Sequence, residues 1–244
     1  MYEIVGNSLK YFKKDKNGDN FYFGEIKSEK IVIAIVADGV SKQPCDWLAS
    51  DLFCSKFVEF FNQEVTSDLK DRIYKTIVTV NQLIVSTEGQ CKNMRTTLSL
   101  LIWKYDTNDC YISNVGDSRI YKCENGKVEQ ITIDDAIKSS KTILNQAGKR
   151  IFETSSLTNT IGSASLKIKI EKIDFKKGTT LILATDGFYD AKKISYLTDM
   201  LELSKAQKLD LAFNKIFSKY DWSAKDDMTA VVIRNNDANN TTKI

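Results

Sequence analysis

The sequence predicts an α+β fold in which two β-sheets have helices on their outer sides. Residues 31–37 form an unbroken run of Ile, Val and Ala that is too short for a typical helix, so we expect a strand buried on both faces. Residues 44–61 and 67–85 carry apolar side chains three and four positions apart, which predicts two adjacent amphipathic helices. Residues 96–132 alternate β-type runs with turn residues, and this pattern is typical of an antiparallel meander.

The other elements are shorter. Further strands are expected where apolar or alternating runs occur, at residues 2–5, 21–26, 167–173, 180–185 and 228–234. Two further helices are predicted at residues 191–200 and 204–217. Residues 134–165 are polar and weakly patterned, with a candidate helix near residues 136–147, and predict a surface excursion. We therefore expect one domain over residues 1–234 and a frayed polar tail over residues 235–244.

The composition excludes several classes of protein. Hydrophobic residues make up 42% and charged residues 27% of the chain, which excludes a long disordered protein. The formal net charge is only +3 and the lysines alternate with acids, so no nucleic-acid partner is expected. The sequence shows no apolar stretch of transmembrane length and no signal-peptide pattern at its N-terminus. These features predict a cytoplasmic protein that does not bind membranes.

The cysteine and histidine content argues against two further kinds of site. The five cysteines include no Cys-x-x-Cys pair, and histidine is absent from the whole chain. A zinc site is therefore not expected, and neither is a catalytic triad with a histidine base. In a cytoplasmic protein the cysteines are expected to be reduced thiols.

Three acidic elements stand next to predicted strands. They are Asp38-Gly39 after residues 31–37, Asp186-Gly187 after residues 180–185, and Asp226-Asp227 before residues 228–233. One Asp-Gly alone most often marks a hairpin turn, but two copies and an acidic pair at strand ends favour a common site. Carboxylates gathered together repel one another unless a cation neutralises them, and oxygen ligands favour Mg²⁺ or Mn²⁺. The sequence thus predicts a centre for a hard divalent metal.

Seven short motifs are distributed over nearly the whole chain. They are Asn17-Gly18-Asp19-Asn20, Val36-Ala37-Asp38-Gly39, Thr96-Thr97, Asn114-Val115-Gly116-Asp117-Ser118-Arg119, Leu157-Thr158-Asn159-Thr160-Ile161-Gly162, Leu183-Ala184-Thr185-Asp186-Gly187-Phe188-Tyr189-Asp190 and Lys225-Asp226-Asp227-Met228-Thr229. Their order and spacing resemble those of the type 2C metal-dependent phosphatases, the PPM family of serine/threonine phosphatases, in a bacterial single-domain form. The resemblance implies an α-β-β-α sandwich of two mainly antiparallel sheets flanked by helix pairs, with a metal centre in a cleft at one edge.

The resemblance also implies roles for individual residues. Asp38 would bridge two Mn²⁺ or Mg²⁺ ions and the Gly39 carbonyl would be a further ligand. Asp186 and Asp226 would bind one ion, while Asp19 would serve the other largely through water. Asp38, Asp186 and Asp226 would thereby be catalytic, because a hydroxide held between the ions would attack phosphorus without forming a phosphoenzyme.

Two further features follow from the same resemblance. Asp117 and Asp190 match acids that hold a third, weaker ion in bacterial relatives. Their alternatives are a turn after Val115 for Asp117 and a helix cap for Asp190. Residues 134–165 lie where relatives carry a mobile flap near the cleft, and we expect this segment to select substrates.

The chain departs from the family pattern at several positions. Lys14 stands where the family has a phosphate-binding arginine; it can balance charge but cannot form a bidentate fork. Gly18 replaces a glutamate or glutamine, and Val40 begins a segment that replaces a small glycine-rich turn. Asp227 replaces an asparagine, so its charge either strengthens metal binding or pairs with Lys225.

The expected function is that of a Mn²⁺- or Mg²⁺-dependent phosphatase acting on phosphoserine or phosphothreonine in proteins. Its partner would be a phosphorylated protein, a cognate kinase or that kinase's target, and a monomer is expected. One alternative is a pseudophosphatase that only binds, for which the changes at Lys14, Gly18 and Val40 would be the signature. The other is a small-molecule phosphatase on the same fold.

Overall fold

A computed structural model describes residues 1–64, 68–145, 148–191, 208–218 and 225–236. Within these ranges the helices are α1 (Asp46–Gln63), α2 (Leu69–Val85), α3 (Asp186–Ala191) and α4 (Leu209–Ser218). The strands are β1 (Tyr2–Leu9), β2 (Asp19–Ile26), β3 (Ile31–Asp38), β4 (Leu98–Lys104), β5 (Asp109–Val115), β6 (Arg119–Glu124), β7 (Lys127–Gln130), β8 (Ala136–Asn145), β9 (Gly148–Leu157), β10 (Ile170–Ile173), β11 (Thr180–Ala184) and β12 (Met228–Asn235).

The strands form two antiparallel five-stranded sheets and one separate hairpin. The first sheet has the order β1-β12-β11-β6-β7 and the second has the order β10-β5-β4-β3-β2. Strands β8 and β9 pair only with each other. Each five-stranded sheet therefore combines strands from distant parts of the chain, such as β1 with β12.

The two sheets pack face to face around an apolar layer. Strand β3 shows how the sequence produces this, because successive side chains of a strand point to opposite faces. Ile31, Ile33 and Ile35 pack against the helices on the outer side, whereas Val32 and Val36 pack against the other sheet. All of them are buried, which confirms the prediction of a strand covered on both faces.

Helices complete the outer layers. Helices α1 and α2 cover the second sheet, and Phe53, Phe57 and Phe61 of α1 stack with ring centroids 5.7 and 5.6 Å apart. On the other side, Phe213 and Phe217 of α4 cover the first sheet. The structure thus has the predicted α-β-β-α layers.

Two sequence predictions were wrong in this region. The stretch 96–132 is not one meander, because β4 and β5 pair in the second sheet while β6 and β7 pair in the first. The chain crosses between the sheets at Gly116, whose φ of 92° lies in the region that glycine adopts readily. The helix predicted near residues 136–147 was wrong for residues 136–145, which form β8 and pair their backbone groups with β9 instead of with their own segment. Residues 146–147 lie outside the described residues.

The expectation of reduced thiols was wrong for two of the five cysteines. Cys45 and Cys91 form a disulfide with a Cα–Cα distance of 5.3 Å. They are 46 positions apart in the sequence, so no spacing motif signals the pair. Cys54, Cys110 and Cys123 are free and buried.

The C-terminal boundaries differ slightly from the prediction. Strand β12 continues to Asn235, whose N–H donates to the Thr179 carbonyl at 3.0 Å, so the tail was predicted to begin too early. Residues 237–244 of that tail lie outside the described residues, as does most of the helix predicted at residues 191–200. In the described part of the chain, no helix is long and apolar enough to span a membrane.

Candidate metal centre

The predicted acidic residues meet at one edge of the sandwich. Antiparallel pairing of β2 and β3 sets Asp19 directly opposite Asp38. Asp186 begins α3 immediately after β11, and Asp226 immediately precedes Asp227 and β12, which pairs with β11. Asp38, Asp186 and Asp226 line a common cleft of about 390 Å³, together with Lys14. The structure therefore brings together residues that are up to about two hundred positions apart in the sequence.

Asp38 and Gly39 are fixed by the backbone around them. The Thr97 N–H donates to the Asp38 carbonyl at 2.8 Å, and Thr97 Oγ1 accepts from the Asp38 N–H at 2.9 Å. The Gly39 N–H donates to the Gly18 carbonyl at 3.0 Å. A side chain at Gly39 would collide with the carbonyl group of Asp46, so this close approach requires glycine.

Asp19 lies behind the surface of the cleft and is only 5% exposed. Its Oδ2 accepts a hydrogen bond from Thr185 Oγ1 at 2.8 Å, and Thr185 Oγ1 in turn accepts from the Thr229 N–H at 3.0 Å. Burial raises the pKa of Asp19 to about 7, opposed by hydrogen bonds from Thr185 and Thr229 and assisted by the charge of Asp227. Sequence reasoning missed the two threonines, because threonine is common in strands and carries no specific signal.

The carboxylates of the cleft disfavour one another's ionisation. Burial raises the pKa of Asp38 well above its usual value, and the charges of Asp19, Asp186 and Asp226 add to this effect. Burial likewise raises the pKa of Asp186 to about 6, followed by the charge of Asp117. A divalent cation would reverse this balance, because it favours the charged form of every carboxylate around it.

Asp117 and Asp190 lie close enough to Asp186 for their charges to raise its pKa. Asp117 also lines the cleft. Asp190 lies in α3, and the residues after Ala191 lie outside the described part of the chain, so the helix-cap alternative stays a prediction. The charges that Asp117 and Asp190 exert on Asp186 are consistent with the third-ion arrangement that the family resemblance implies.

The donor set fits a hard divalent cation. The side chains offer only carboxylate oxygens, and Asp186 Oδ1 is buried without a hydrogen-bond partner among the described residues. Across those ranges, no three acidic or cysteine side chains already stand at ligand distance from one point. Lys14 donates a hydrogen bond to Asp226, and Thr185 donates one to Asp19. The two carboxylates would therefore have to rotate away from these donors when a cation binds.

Lys14 occupies the cleft as a counter-ion. Its Nζ donates to Asp226 Oδ1 at 2.5 Å and to Asp227 Oδ2 at 2.8 Å. Burial lowers the pKa of Lys14, but the bonds to both carboxylates outweigh this effect and raise it above the usual value. The loop between β1 and β2 thereby places the ammonium group of Lys14 at the predicted metal site.

Asp227 anchors that loop. Besides Lys14, it accepts hydrogen bonds from the backbone N–H groups of Tyr11 and Gly18, each at 2.7 Å, and it is 2% exposed. Of the two roles left open for its charge, pairing with Lys225 was wrong, because the lysine that it binds is Lys14. The sequence did carry a signal for this Lys14–Asp227 contact. Lysine replaces the family's arginine at one position, and aspartate replaces its asparagine at the other.

The β8–β9 hairpin lies beside the cleft, within residues 134–165, whose role as a flap stays a prediction. At its base the Asp135 N–H donates to the Gly116 carbonyl at 2.8 Å, and Arg119 Nη2 donates to Asp134 Oδ2 at 2.7 Å. Its C-terminal end reaches the cleft, which Leu157 helps to line. Arg119 of the Gly-Asp-Ser-Arg motif therefore supports the hairpin.

The raised pKa values predict an unusual pH dependence for the metal-free protein. Between pH 5 and 7 the folded chain retains protons on Asp19 and Asp186 that the unfolded chain releases. Its melting temperature should therefore fall as pH rises through this window, and Mn²⁺ should raise it most at pH 7 and above. Thermal unfolding with and without Mn²⁺ measures this, with Asp19→Asn as the variant that flattens the metal-free profile. A metal-free melting temperature that is constant or rises would contradict the account.

Comparison with known proteins gives a consistent result. A family model described as Protein phosphatase 2C matches residues 11–230. Serine/threonine phosphatase stp of Listeria innocua is 25% identical over 239 residues, covering 90% of this chain and 90% of that protein.

Solved structures show the same fold. The serine/threonine phosphatase of S. agalactiae has a TM-score of 0.77 at 19% identity and covers 96% of this chain and 99% of that chain. The catalytic domain of serine threonine protein phosphatase PstP, solved in complex with 2 manganese ions, has a TM-score of 0.73 at 19% identity, with coverage of 97% and 99%. These likenesses confirm the predicted sandwich. Because the family match spans most of the sequence, this chain belongs to the protein phosphatase 2C family.

Proposed function

We propose that the protein is a Mn²⁺- or Mg²⁺-dependent phosphatase that hydrolyses phosphoserine and phosphothreonine in proteins. The observation that carries the proposal is the meeting of Asp38, Asp186 and Asp226 in one cleft that also contains Lys14. Family membership and the similarity to serine/threonine phosphatase stp support it. The manganese complex of the related PstP structure supports a two-metal site of this kind.

In this proposal the chain's own carboxylates and one carbonyl hold the metal ions. Asp38 would serve both ions and the Gly39 carbonyl would be a further ligand. Asp186 and Asp226 would hold one ion, and Asp19 would serve the other largely through water. The ions, when bound, would lower the pKa of a water molecule so that it attacks phosphorus in line as hydroxide, and they would neutralise charge on the phosphoryl oxygens. No phosphoenzyme is then needed. Asp117 and Asp190 would hold a third, weaker ion.

Lys14 would bind the substrate phosphate once Asp226 turns to a cation. Asp227 would keep hold of the ammonium group, because it is buried and fixed by backbone hydrogen bonds. An ammonium has three donors, so those not used by Asp227 can reach a phosphoryl oxygen. The chain has no histidine, so the leaving serine or threonine oxygen would take its proton from water or from another acid.

The domain and cellular expectations belong to the same proposal. Residues 1–234 would form one phosphatase domain, with residues 134–165 acting as the substrate-selecting flap. The cytoplasmic location, the monomeric state, the cognate kinase and the lack of a nucleic-acid partner stay predictions.

The activity test uses a phosphothreonine peptide with Mn²⁺. Asp38→Asn and Asp186→Asn should each lower kcat/KM by at least about 100-fold, since loss of a metal ligand exceeds the 10–100-fold effect typical of supporting residues. Asp106→Asn, in a turn distant from the cleft, is the matched control and should keep wild-type activity. Phosphate release measures the rates, and EDTA should abolish them. Wild-type turnover that persists in EDTA would refute the metal-dependent mechanism.

The counter-ion role of Lys14 makes a separate prediction. Lys14→Met should bind Mn²⁺ about fivefold more tightly, because an ion pair of about 1 kcal/mol no longer competes for Asp226. The same variant should raise KM for the phosphopeptide, whereas Lys14→Arg should restore KM at least to the wild-type value. Calorimetric Mn²⁺ titration and steady-state kinetics measure the two effects. Weaker Mn²⁺ binding in Lys14→Met would show that Lys14 does not compete with the metal.

A further inference from the structure

Arg95 is a further cation of the cleft, and it differs from Lys14 in having no carboxylate partner among the described residues. It lines the cleft that contains Asp38 and Asp186. In the described part of the chain, its guanidinium makes no hydrogen bond or ion pair, although five N–H donors are available. These donors can bind an anion that enters the cleft.

The position of Arg95 is fixed by its backbone neighbours. The Arg95 carbonyl accepts from the Val40 N–H at 3.0 Å, and Thr96 exchanges hydrogen bonds with Ile161 at 3.2 and 2.9 Å. Gly162 has a φ of 89°, and a Cβ built there would lie 2.5 Å from the Met94 carbonyl oxygen and 3.3 Å from Arg95 Cδ. The absence of a side chain at Gly162 therefore allows the backbone just before Arg95 to approach closely.

The charges around Arg95 distinguish it from the residues that would bind metal. Burial lowers the pKa of Arg95, and no carboxylate among the described residues offsets this. Apart from burial, the charges that raise the pKa of Asp38 and Asp186 most are those of other aspartates. Arg95 shares the cleft with these residues but makes no ion pair with the described aspartates, which distinguishes it from Lys14.

We propose that Arg95 is a specificity-determining residue that binds an anionic side chain of the substrate, next to the phosphorylated serine or threonine. The inference rests on the proposed function and names a substrate class, namely phosphopeptides with a flanking carboxylate or a second phosphate. The planar fork of a guanidinium matches both anions, and this anion would complete the hydrogen bonding of Arg95. Lys42 lines the same cleft but is exposed, so water already solvates its ammonium group.

The test compares phosphothreonine peptides that differ at one neighbouring position. That position carries Gln, Glu or phosphoserine, and it is placed in turn at each of the two residues before and after the phosphothreonine. The ratio of kcat/KM for the Glu and Gln peptides is measured with Mn²⁺, and mass spectrometry follows each phosphate of the doubly phosphorylated peptide. The enzymes are wild type, Arg95→Gln, Arg95→Lys and Lys42→Gln, with folding checked by circular dichroism.

The wild type should prefer Glu over Gln by about fivefold at one position or more, as expected for a partly exposed ion pair. Arg95→Gln should bring that ratio to about one, and Arg95→Lys should keep part of it because charge alone remains. Lys42→Gln makes the same change in net charge and should keep most of the preference. A larger preference for phosphoserine than for Glu would identify phosphate as the favoured anion.

Four results would overturn the inference. The preference could be unchanged in Arg95→Gln. Lys42→Gln could lose it equally, which would assign it to the overall charge of the cleft. A wild type that hydrolyses all the peptides equally would refute the role of Arg95 and leave the phosphatase proposal intact. A wild type that hydrolyses none of them would refute the proposed function, and the inference would fail with it.

Discussion

The constraint on which the rest of the structure depends is the desolvation and mutual repulsion of carboxylates that are held close together. Asp19, Asp38, Asp186 and Asp226 are held near one another, and the first three have raised pKa values because burial and neighbouring charge disfavour ionisation. The nearby groups reduce this cost in different ways: Thr185 donates a hydrogen bond to Asp19, and Lys14 provides a positive charge to Asp226. Neither contact removes the repulsion among the carboxylates. A bound divalent cation would remove it.

The sandwich prevents the carboxylates from relieving this strain by moving apart. Asp19 is the first residue of β2 and Asp38 is the last residue of β3, and these strands are paired in one sheet. Asp226 lies just before β12, which belongs to the other sheet. The strands continue into a fully buried layer between the sheets, where a shift of register would turn apolar side chains to the wrong face. The free energy of core packing therefore supports a local arrangement that would be unfavourable alone, which is common at functional sites.

The sequence was sufficient for features that depend on local pattern. The burial of β3 on both faces, the two long helices and the acidic elements at strand ends followed from periodicity and motif order. Features that depend on contacts between distant segments did not follow: the Cys45–Cys91 disulfide and the anchoring of the loop by Asp227. The β8–β9 hairpin was missed because its sequence is polar and weakly patterned. Arg95 was missed for a related reason, since an arginine beside Thr96 carries no signal until the fold turns it into the cleft.

The central claim is that this group of carboxylates is a metal centre, and equilibrium dialysis against Mn²⁺ at pH 7.5 with metal analysis tests it most directly. Wild type should bind two ions per chain, with a third only at higher Mn²⁺ concentration, and Asp38→Asn should lose the tight binding because Asp38 would contact both ions. Fewer than one ion per wild-type chain, or equal binding by wild type and Asp38→Asn, would contradict the account.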